Sequence, residues 1–458
     1  MKKTKILCTL GPASRSLKML RRMYKAGMNG VRINTAFGNF DDYKGMIRNV
    51  RKLGDIPVLL DLKGPEIRVK LEKKMYTKKD DLIEIGKERP IEFNYNIYNQ
   101  LNIGDNVLIN NGKLLTHIVK SEKNYVQLVI ERGGTIEDGV GVNIPGKKLH
   151  VPSVSEKDLR AINFAKENNV EFVALSFVRG KQDISNFKGF AYNLQAEIVA
   201  KIENHQGVEN FEEILREVDS IMIARGDLGV EMDLERIPLI QKHMIQRSNQ
   251  EGKLVITATE ILESMINNSI PTRAEISDIA NAILDGTDVL MLSGETAIGR
   301  YPVESVSAIT KTAVQVENSI GTNIKEEEFH NISRTVSRSI WQIAETMPLD
   351  KVVTMTKTGY TAKVITRFRL NQPIFAITAN SIVKNQLELY YGVQPIQYNY
   401  EKEKDRILSV AQLLSNNNVL KEDDNVLFTA GVRTNKAHAS NLIEIHTIGE
   451  LLEFGKVK

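Results

Sequence analysis

Eight short apolar runs recur along the chain: KILCTL (5–10), GVRIN (30–34), VLLDL (58–62), FVALSF (172–177), EIVAKIE (197–203), SIMIARGD (220–227), LVITATE (254–260) and VLMLSGE (289–295). Most are rich in β-branched residues, and none alternates strictly between apolar and polar. That pattern predicts parallel strands buried on both faces. Helical patterns lie between them. SRSLKMLRRMYKAGMN (14–29) carries Leu17, Leu20, Met23 and Tyr24 at helical spacing. SEKDLRAINFAKENN (155–169) opens on a serine with acids in its first turn, an N-terminal signature. Strand and helix repeated eight times predict a (β/α)₈ TIM barrel.

One gap breaks the rhythm. Between the third and fourth runs, residues 70–148 alternate in β fashion and are punctuated by Gly-Asp, Asn-Gly and Gly-Gly turns. They are expected to form an inserted small all-β domain, a β-barrel lid at the catalytic end. The barrel is then residues 1–69 and 149–322. From 323 the pattern changes again. A charged connector, NIKEEEFHN (323–331), precedes a helix near 331–346. Next come KVVTMTKTG (351–359), a helix over 360–369, PIFAITA (373–379), a helix after Ser381 and NVLFTAG (425–431). Residues 323–458 are expected to form a doubly wound α/β sandwich.

Composition narrows the function. With 61 basic and 57 acidic residues the net charge is +4, too balanced to point to nucleic acid or an anionic membrane. No run approaches the ~20 apolar residues of a membrane helix. The single cysteine, Cys8, lies in an apolar run and reads as a small buried hydrophobe. A cytoplasmic location is expected.

The runs deliver charge at their C-terminal ends, where a parallel barrel places its catalytic groups. AKIENHQG (200–207) presents Lys201 and Glu203, and IARGDLGVE (223–231) presents Asp227. A cation beside two carboxylates suits phosphoryl chemistry: the carboxylates hold Mg²⁺, and the ammonium compensates charge on the transferring group. Arg32, Asn34, Asp61, Lys63 and Arg68 arrive on the second and third runs, and two guanidiniums at one mouth suggest phosphate binding. Gly226 and Gly229 allow close approach of the backbone to a ligand. Thr259 either holds a proton or a water over the substrate or is a packed strand residue. Ser293-Gly294 is either a phosphate or metal turn or a helix cap. His205 reads as structural. No GxxxxGK[ST] loop, GxGxxG or Cys/His cluster occurs.

At these residues the sequence resembles the pyruvate kinase family. TKILCTLGPASRS, LLDLKGPEIR, AKIENHQGVENFEEIL, MIARGDLGVE, TATEILESMI, PTRAEISDIANAILDGTDVLMLSGETAIGRYPVE and TGYTA stand where that family has its signatures, across essentially the whole chain. The resemblance implies transfer of the phosphoryl group of phosphoenolpyruvate to ADP, giving pyruvate and ATP. It makes Lys201 the group that stabilises the transferring phosphoryl and the enolate. Glu203 and Asp227 become ligands of Mg²⁺ or Mn²⁺. The amides of Gly226 and Asp227, with Thr259, hold the substrate carboxylate, and Ser293 belongs to the substrate site. Thr259 lies near the face where the enolate is protonated. Arg32 and Arg68 clamp the phosphoryl and nucleotide side, with Asn34 also on the nucleotide. Asn34, Asp61 and the Leu62 carbonyl sit where the family binds K⁺. A homotetramer is implied as well.

The chain also departs from the family. RINTAFG stands for RLNFSHG, so Ala36 replaces a serine that supplies a K⁺ ligand and Phe37 replaces a histidine near the nucleotide. Leu62 replaces a threonine, Glu260 a glutamine and Val140 a lysine that contacts nucleotide phosphates, whereas Glu66 is kept. In the lid INNG (109–112), with Asn110 and Asn111, replaces a pattern with aspartates. These changes put K⁺ dependence in question and predict weaker contact of the lid with the nucleotide. TKTGYTA (356–362) either cradles a phosphate or is a β-to-α turn. The last segment departs from the usual glycine-rich effector loop, leaving some other phosphorylated effector, or none, for the C-terminal domain. Two rival readings are a phosphoenolpyruvate/pyruvate-type aldolase on the same barrel and a degenerate paralogue that senses metabolites.

Overall fold

The computed structural model describes residues 2–319, 332–431 and 440–457. The eight apolar runs form eight parallel strands: Lys5–Thr9, Gly30–Asn34, Val58–Asp61, Phe172–Leu175, Glu197–Ile202, Ser220–Ala224, Leu254–Ala258 and Val289–Leu292. They close into a barrel in chain order. The last strand pairs with the first, from Lys5 opposite Val289 to Cys8 opposite Leu292. The predicted fold class therefore stands. Every position of the fourth, sixth, seventh and eighth strands is buried, which is why their sequences show no alternation.

Local sequence fixes where the outer helices start and stop. Helix Leu17–Ala26 begins at Ser16, whose side chain accepts from the Met19 amide, and ends at Gly27 in the left-handed conformation. Helix Glu156–Glu167 has a reciprocal capping box between Ser155 and Asp158, and helix Arg273–Asp285 has another between Thr272 and Glu275. Both boxes lie just after connections at the catalytic end and so fix the backbone there.

The inserted segment forms a five-stranded antiparallel sheet. Its order is Val142–Asn143, Asn106–Ile109, Leu114–Ser121, Tyr125–Arg132 and Leu82–Gly86. Two short ribbons flank it, and its own core includes Ile85, Val107, Ile118 and Leu128. It leaves the barrel through a backbone hinge: Val69 N–H donates to Val140 (3.0 Å), and Val142 N–H donates to Ile67 (2.8 Å). At the lid tip Asn110, Asn111 and Gly112 all have positive φ (57°, 52° and 74°). The INNG sequence is thus a left-handed turn, for which asparagine and glycine are the cheapest residues. The Asn143 amide reaches the barrel, donating to Glu231 at 2.8 Å.

The C-terminal unit is a five-stranded sheet in the order Val393–Gln397, Ile374–Thr378, Lys351–Met355, Asn425–Ala430 and Leu442–Thr447. The first four strands are parallel and the last is antiparallel. Two of these strands and helix Arg406–Asn416 had no clear signal. Val393–Gln397 contains Pro395 and sits at the sheet edge, where a missing N–H is tolerated. The 323–331 connector and residues 432–439 of the last loop lie outside the described residues.

This unit docks on the N-terminal end of the barrel. One apolar cluster runs from Leu7, Phe172 and Met222 inside the barrel through Leu389 and Tyr390 to Ile365 and Leu427. Buried ion pairs surround it. Lys363 lies 2.7 Å from Glu197, Tyr390 donates to Glu197 at 2.8 Å, and Arg369 lies 2.6 Å from Asp288. Among the described residues no helix is long and apolar enough to cross a membrane.

Candidate active site

The strand ends assemble a continuous charged network. Asp61 closes the third strand and is 1% exposed. Arg32, on the second strand, donates Nε to Asp61 Oδ2 at 2.7 Å and Nη1 to the Thr9 hydroxyl at 3.0 Å. Lys201 Nζ lies 3.3 Å from Asp61 Oδ1 and 2.8 Å from Glu203 Oε1. It also donates to Ser176 Oγ at 2.8 Å, and Ser176 in turn donates to the Leu62 carbonyl at 2.7 Å. The second Glu203 oxygen accepts the Phe177 N–H at 2.7 Å, and Phe177 has a φ of 57°.

Burial shapes the charge on each group. It would raise the Asp61 carboxyl, but Lys201 and Arg32 outweigh it and hold Asp61 below its ordinary value. Burial would lower Lys201, but Asp61 and Glu203 outweigh it, so the ammonium is held above the usual lysine range. Glu203 is the opposite case. Burial pushes it up to about 7 against the pull of Lys201, and Asp227 adds to the rise. Asp227 is open to the cleft, yet the walls surround it with protein. That desolvation raises its pKa against Lys201, and Glu66 and Asp61 reinforce it. Glu203 and Asp227 are therefore a pair of carboxylates short of positive charge. Among the described residues no group of three or more His, Cys, Asp and Glu could hold a metal. Two carboxylates with the rest of the shell from substrate and water are nevertheless the donor set that suits Mg²⁺, so the residues present fit that ion.

A second part of the mouth is built on strained backbone. Thr259 and Glu260, after the seventh strand, both have positive φ (65° and 52°), unusual for a β-branched residue. Arg225 holds this turn, donating to the carbonyls of Thr259 and Glu260 at 2.9 Å each. Arg225 is itself fixed by Asp278 at 2.7 Å. The Thr259 hydroxyl accepts the Gly226 N–H at 2.8 Å and donates to the Ala258 carbonyl at 2.6 Å. Thr259 is thus part of the mouth rather than a packed strand residue.

The remaining sequence candidates are placed as follows. Arg68 sits at the lid hinge, paired with Glu66 and donating to the Gly139 carbonyl, while its Nε is buried without a partner. It is not part of the Arg32–Asp61–Lys201 network. Asn34 ends the second strand, with Oδ1 accepting the Ala36 N–H at 2.9 Å. Ser293 has a buried hydroxyl without a hydrogen bond, and its N–H goes to Glu295 at 2.7 Å. His205 is paired with Glu209 at 3.3 Å, one turn along the helix, in keeping with a structural role. Cys8 is buried, and burial pushes its thiol well above the usual range. Sequence reading passed over Ser176, Phe177, Thr9 and Asp278. Only Ser176 left a signal, as the hydroxyl next to last in FVALSF.

Two family models match the chain. A family model described as pyruvate kinase, barrel domain, matches residues 1–306, and one described as pyruvate kinase, alpha/beta domain, matches residues 334–446. The chain belongs to the pyruvate kinase family. The pyruvate kinase of Sporosarcina psychrophila is 37% identical over 483 residues, covering 100% of this chain and 82% of that protein. The pyruvate kinase of Bacillus licheniformis is 36% identical over 488 residues, with the same coverage. The crystal structure of a pyruvate kinase from Cryptosporidium parvum superposes with a TM-score of 0.90 at 31% identity. The match covers 98% of this chain and 96% of that one. That structure shares the fold over nearly the whole of both chains.

Proposed function

We propose that this chain catalyses Mg²⁺-dependent transfer of the phosphoryl group of phosphoenolpyruvate to ADP, giving pyruvate and ATP. The observation that carries the reading is Lys201, a buried ammonium held between Asp61 and Glu203 with Asp227 beside them. A terminal phosphate oxygen of ADP attacks the phosphorus, the bond to the enolate oxygen breaks, and the enolate then takes a proton at carbon. Little of this is covalent work for the protein; it positions groups and compensates charge.

Lys201 meets the charge that gathers on the phosphoryl and enolate oxygens, and Asp61 and Ser176 fix where its ammonium points. Glu203 and Asp227 would hold Mg²⁺ or Mn²⁺. When bound, the cation supplies Lewis-acid polarisation of the substrate oxygens. At the Thr259 turn the substrate carboxylate takes the Gly226 N–H in place of Oγ1, with the Asp227 amide beside it. The Thr259 hydroxyl then relays a proton to the enolate face through water, and Ser293 offers a free hydroxyl at the eighth strand. Arg32 clamps the phosphoryl group with its guanidinium already oriented by Asp61. Arg68 and Asn34 serve the nucleotide side. The Asn34, Asp61 and Leu62 oxygens assigned to K⁺ already accept internal bonds or face cations. Ala36 adds no side-chain oxygen, whereas Glu66 is kept, so the K⁺ requirement is what the assay with and without K⁺ decides. In the C-terminal unit, Lys357 of TKTGYTA is paired with Glu401 and Thr361 with Ser440. This favours the β-to-α turn reading over an effector cradle. A homotetrameric, cytoplasmic enzyme completes the proposal.

The test is lactate-dehydrogenase-coupled turnover of phosphoenolpyruvate with ADP and Mg²⁺, with and without K⁺, beside a Lys201→Met control. Turnover lost in the control is expected. Binding of phosphoenolpyruvate with no turnover under any salt would overturn the proposal in favour of a sensor.

A further inference from the structure

Outside the barrel mouth, a cavity of about 290 Å³ opens where three parts of the chain meet. Its walls are the Lys63–Glu66 loop after the third strand, Asn94 and Tyr95 of the lid, and the first turns of helix Glu156–Glu167. Lys63, Lys157 and Arg160 all line it. None of these three side chains has an ion pair or hydrogen bond among the described residues, nor does the Tyr95 hydroxyl.

The acids nearby are engaged elsewhere. Asp158 is fully buried and committed to the Ser155 capping box (2.6 and 2.9 Å) and to the Gly64 N–H (3.3 Å). Glu66 is paired with Arg68. Glu156 leaves one free carboxylate against three free cations, so the cavity is net positive. Desolvation and repulsion from Lys63 hold Lys157 below the usual lysine range. Lysines on an open helix face spread apart into water. Here three cations and a phenol converge on one concavity, and like charges so arranged favour a counter-charge. The volume lies near the lower end of small-molecule pockets and is larger than a bare ion needs.

We propose that this cavity binds a small phosphate-bearing molecule. The walls come from both barrel and lid, so an occupant bridges the hinge and biases the lid. Glu66 lines this cavity and also the catalytic cleft that contains Asp227. Occupancy is therefore felt by the Glu66–Arg68 pair. The site does not depend on the reaction proposed above, because binding is read without turnover.

The probes are inorganic phosphate and glycerol 3-phosphate, titrated against the full-length chain while thermal melting is followed. Wild type, the double variant Lys157→Ala/Arg160→Ala and Lys201→Met are run in parallel. A saturable rise in melting temperature is expected in wild type and in Lys201→Met. In the double variant it should weaken by at least about tenfold in apparent Kd, with circular dichroism unchanged. A stronger response to glycerol 3-phosphate identifies an organic phosphate as the ligand; equal responses identify the phosphate group alone. Superimposable titrations of wild type and the double variant, or no response in wild type, would overturn the proposal.

Discussion

Replacing Lys201 with methionine keeps the side-chain volume and removes one buried positive charge. Asp61 and Glu203, 1% and 2% exposed, lose the ammonium that stands 3.3 and 2.8 Å from them. Taking one partner from a buried ion pair costs about 3–5 kcal/mol, so Lys201→Met should be destabilised by that order at neutral pH. The pH dependence has a definite sign. In wild type the folded-state pKa of Lys201 is raised, so its contribution is complete below the ordinary lysine value of 10.5 and is lost only above it. In the variant Asp61 keeps Arg32 at 2.6 Å, but Glu203, already raised to about 7 in wild type, loses its cation and holds its proton more tightly still. Wild type also loses stability as Glu203 ionises up to about pH 7, so the variant is told apart by a fall that continues from pH 7 to 8, where Lys201 gives wild type no slope. Urea unfolding at both pH values, with and without Mg²⁺, measures this. Added Mg²⁺ should restore part of the stability, since Glu203 and Asp227 then face a cation again. Turnover should stay at least about 10²–10³-fold down. Wild-type stability at pH 8, with no fall from pH 7, would refute the idea that this ammonium balances the two carboxylates.

Three other substitutions probe different contacts. Gly64 has a φ of 73°, and a Cβ there would stand 2.8 Å from the Cβ of Ser176. Gly64→Ala should cost about 1–3 kcal/mol and displace the hydroxyl that holds Lys201, so that steady-state assays show kcat falling more than KM. Val140→Lys adds a cation at the hinge of the lid and should lower KM for ADP several-fold; an unchanged KM would count against the lid contact. Lys363→Met leaves Glu197 in the domain interface with only uncharged partners and should lose about 3 kcal/mol in chemical denaturation. A loss below about 1 kcal/mol would mean that water or rearrangement replaces the ion pair.

The barrel strands and the central charges were legible because one physical rule writes both. A strand buried on two faces is apolar through its middle, so the charges at its C-terminal end, Asp61, Lys201 and Asp227, mark the site. The supporting residues follow no such rule. Asp278 lies in the middle of a helix and reads as an ordinary solvated acid, yet it fixes Arg225 and through it the Thr259–Glu260 turn. Phe177 acts through its backbone amide, which a sequence of side chains does not display. The acid partner of Arg32 was equally hidden, since pairing across strands depends on register. In the C-terminal unit, Pro395 masked an edge strand, and LIEIHT alternates because its strand runs antiparallel at the opposite edge.

Among the described residues, the C-terminal unit covers the N-terminal end of the barrel. Leu389 and Tyr390 fill it from the C-terminal unit, and Gly30 is glycine where a Cβ would stand 2.9 Å from a Leu389 methyl. Cutting the chain between the two would leave a greasy open end on one piece and an orphaned plug on the other. The two parts are therefore not interchangeable cassettes: a graft from a relative has to bring its own stopper and a barrel bored to match. Trp341, the one tryptophan, stacks on Phe368 at 6.1 Å in the C-terminal unit. Its fluorescence should report melting of a barrel to which it does not belong, because the two parts come undone together.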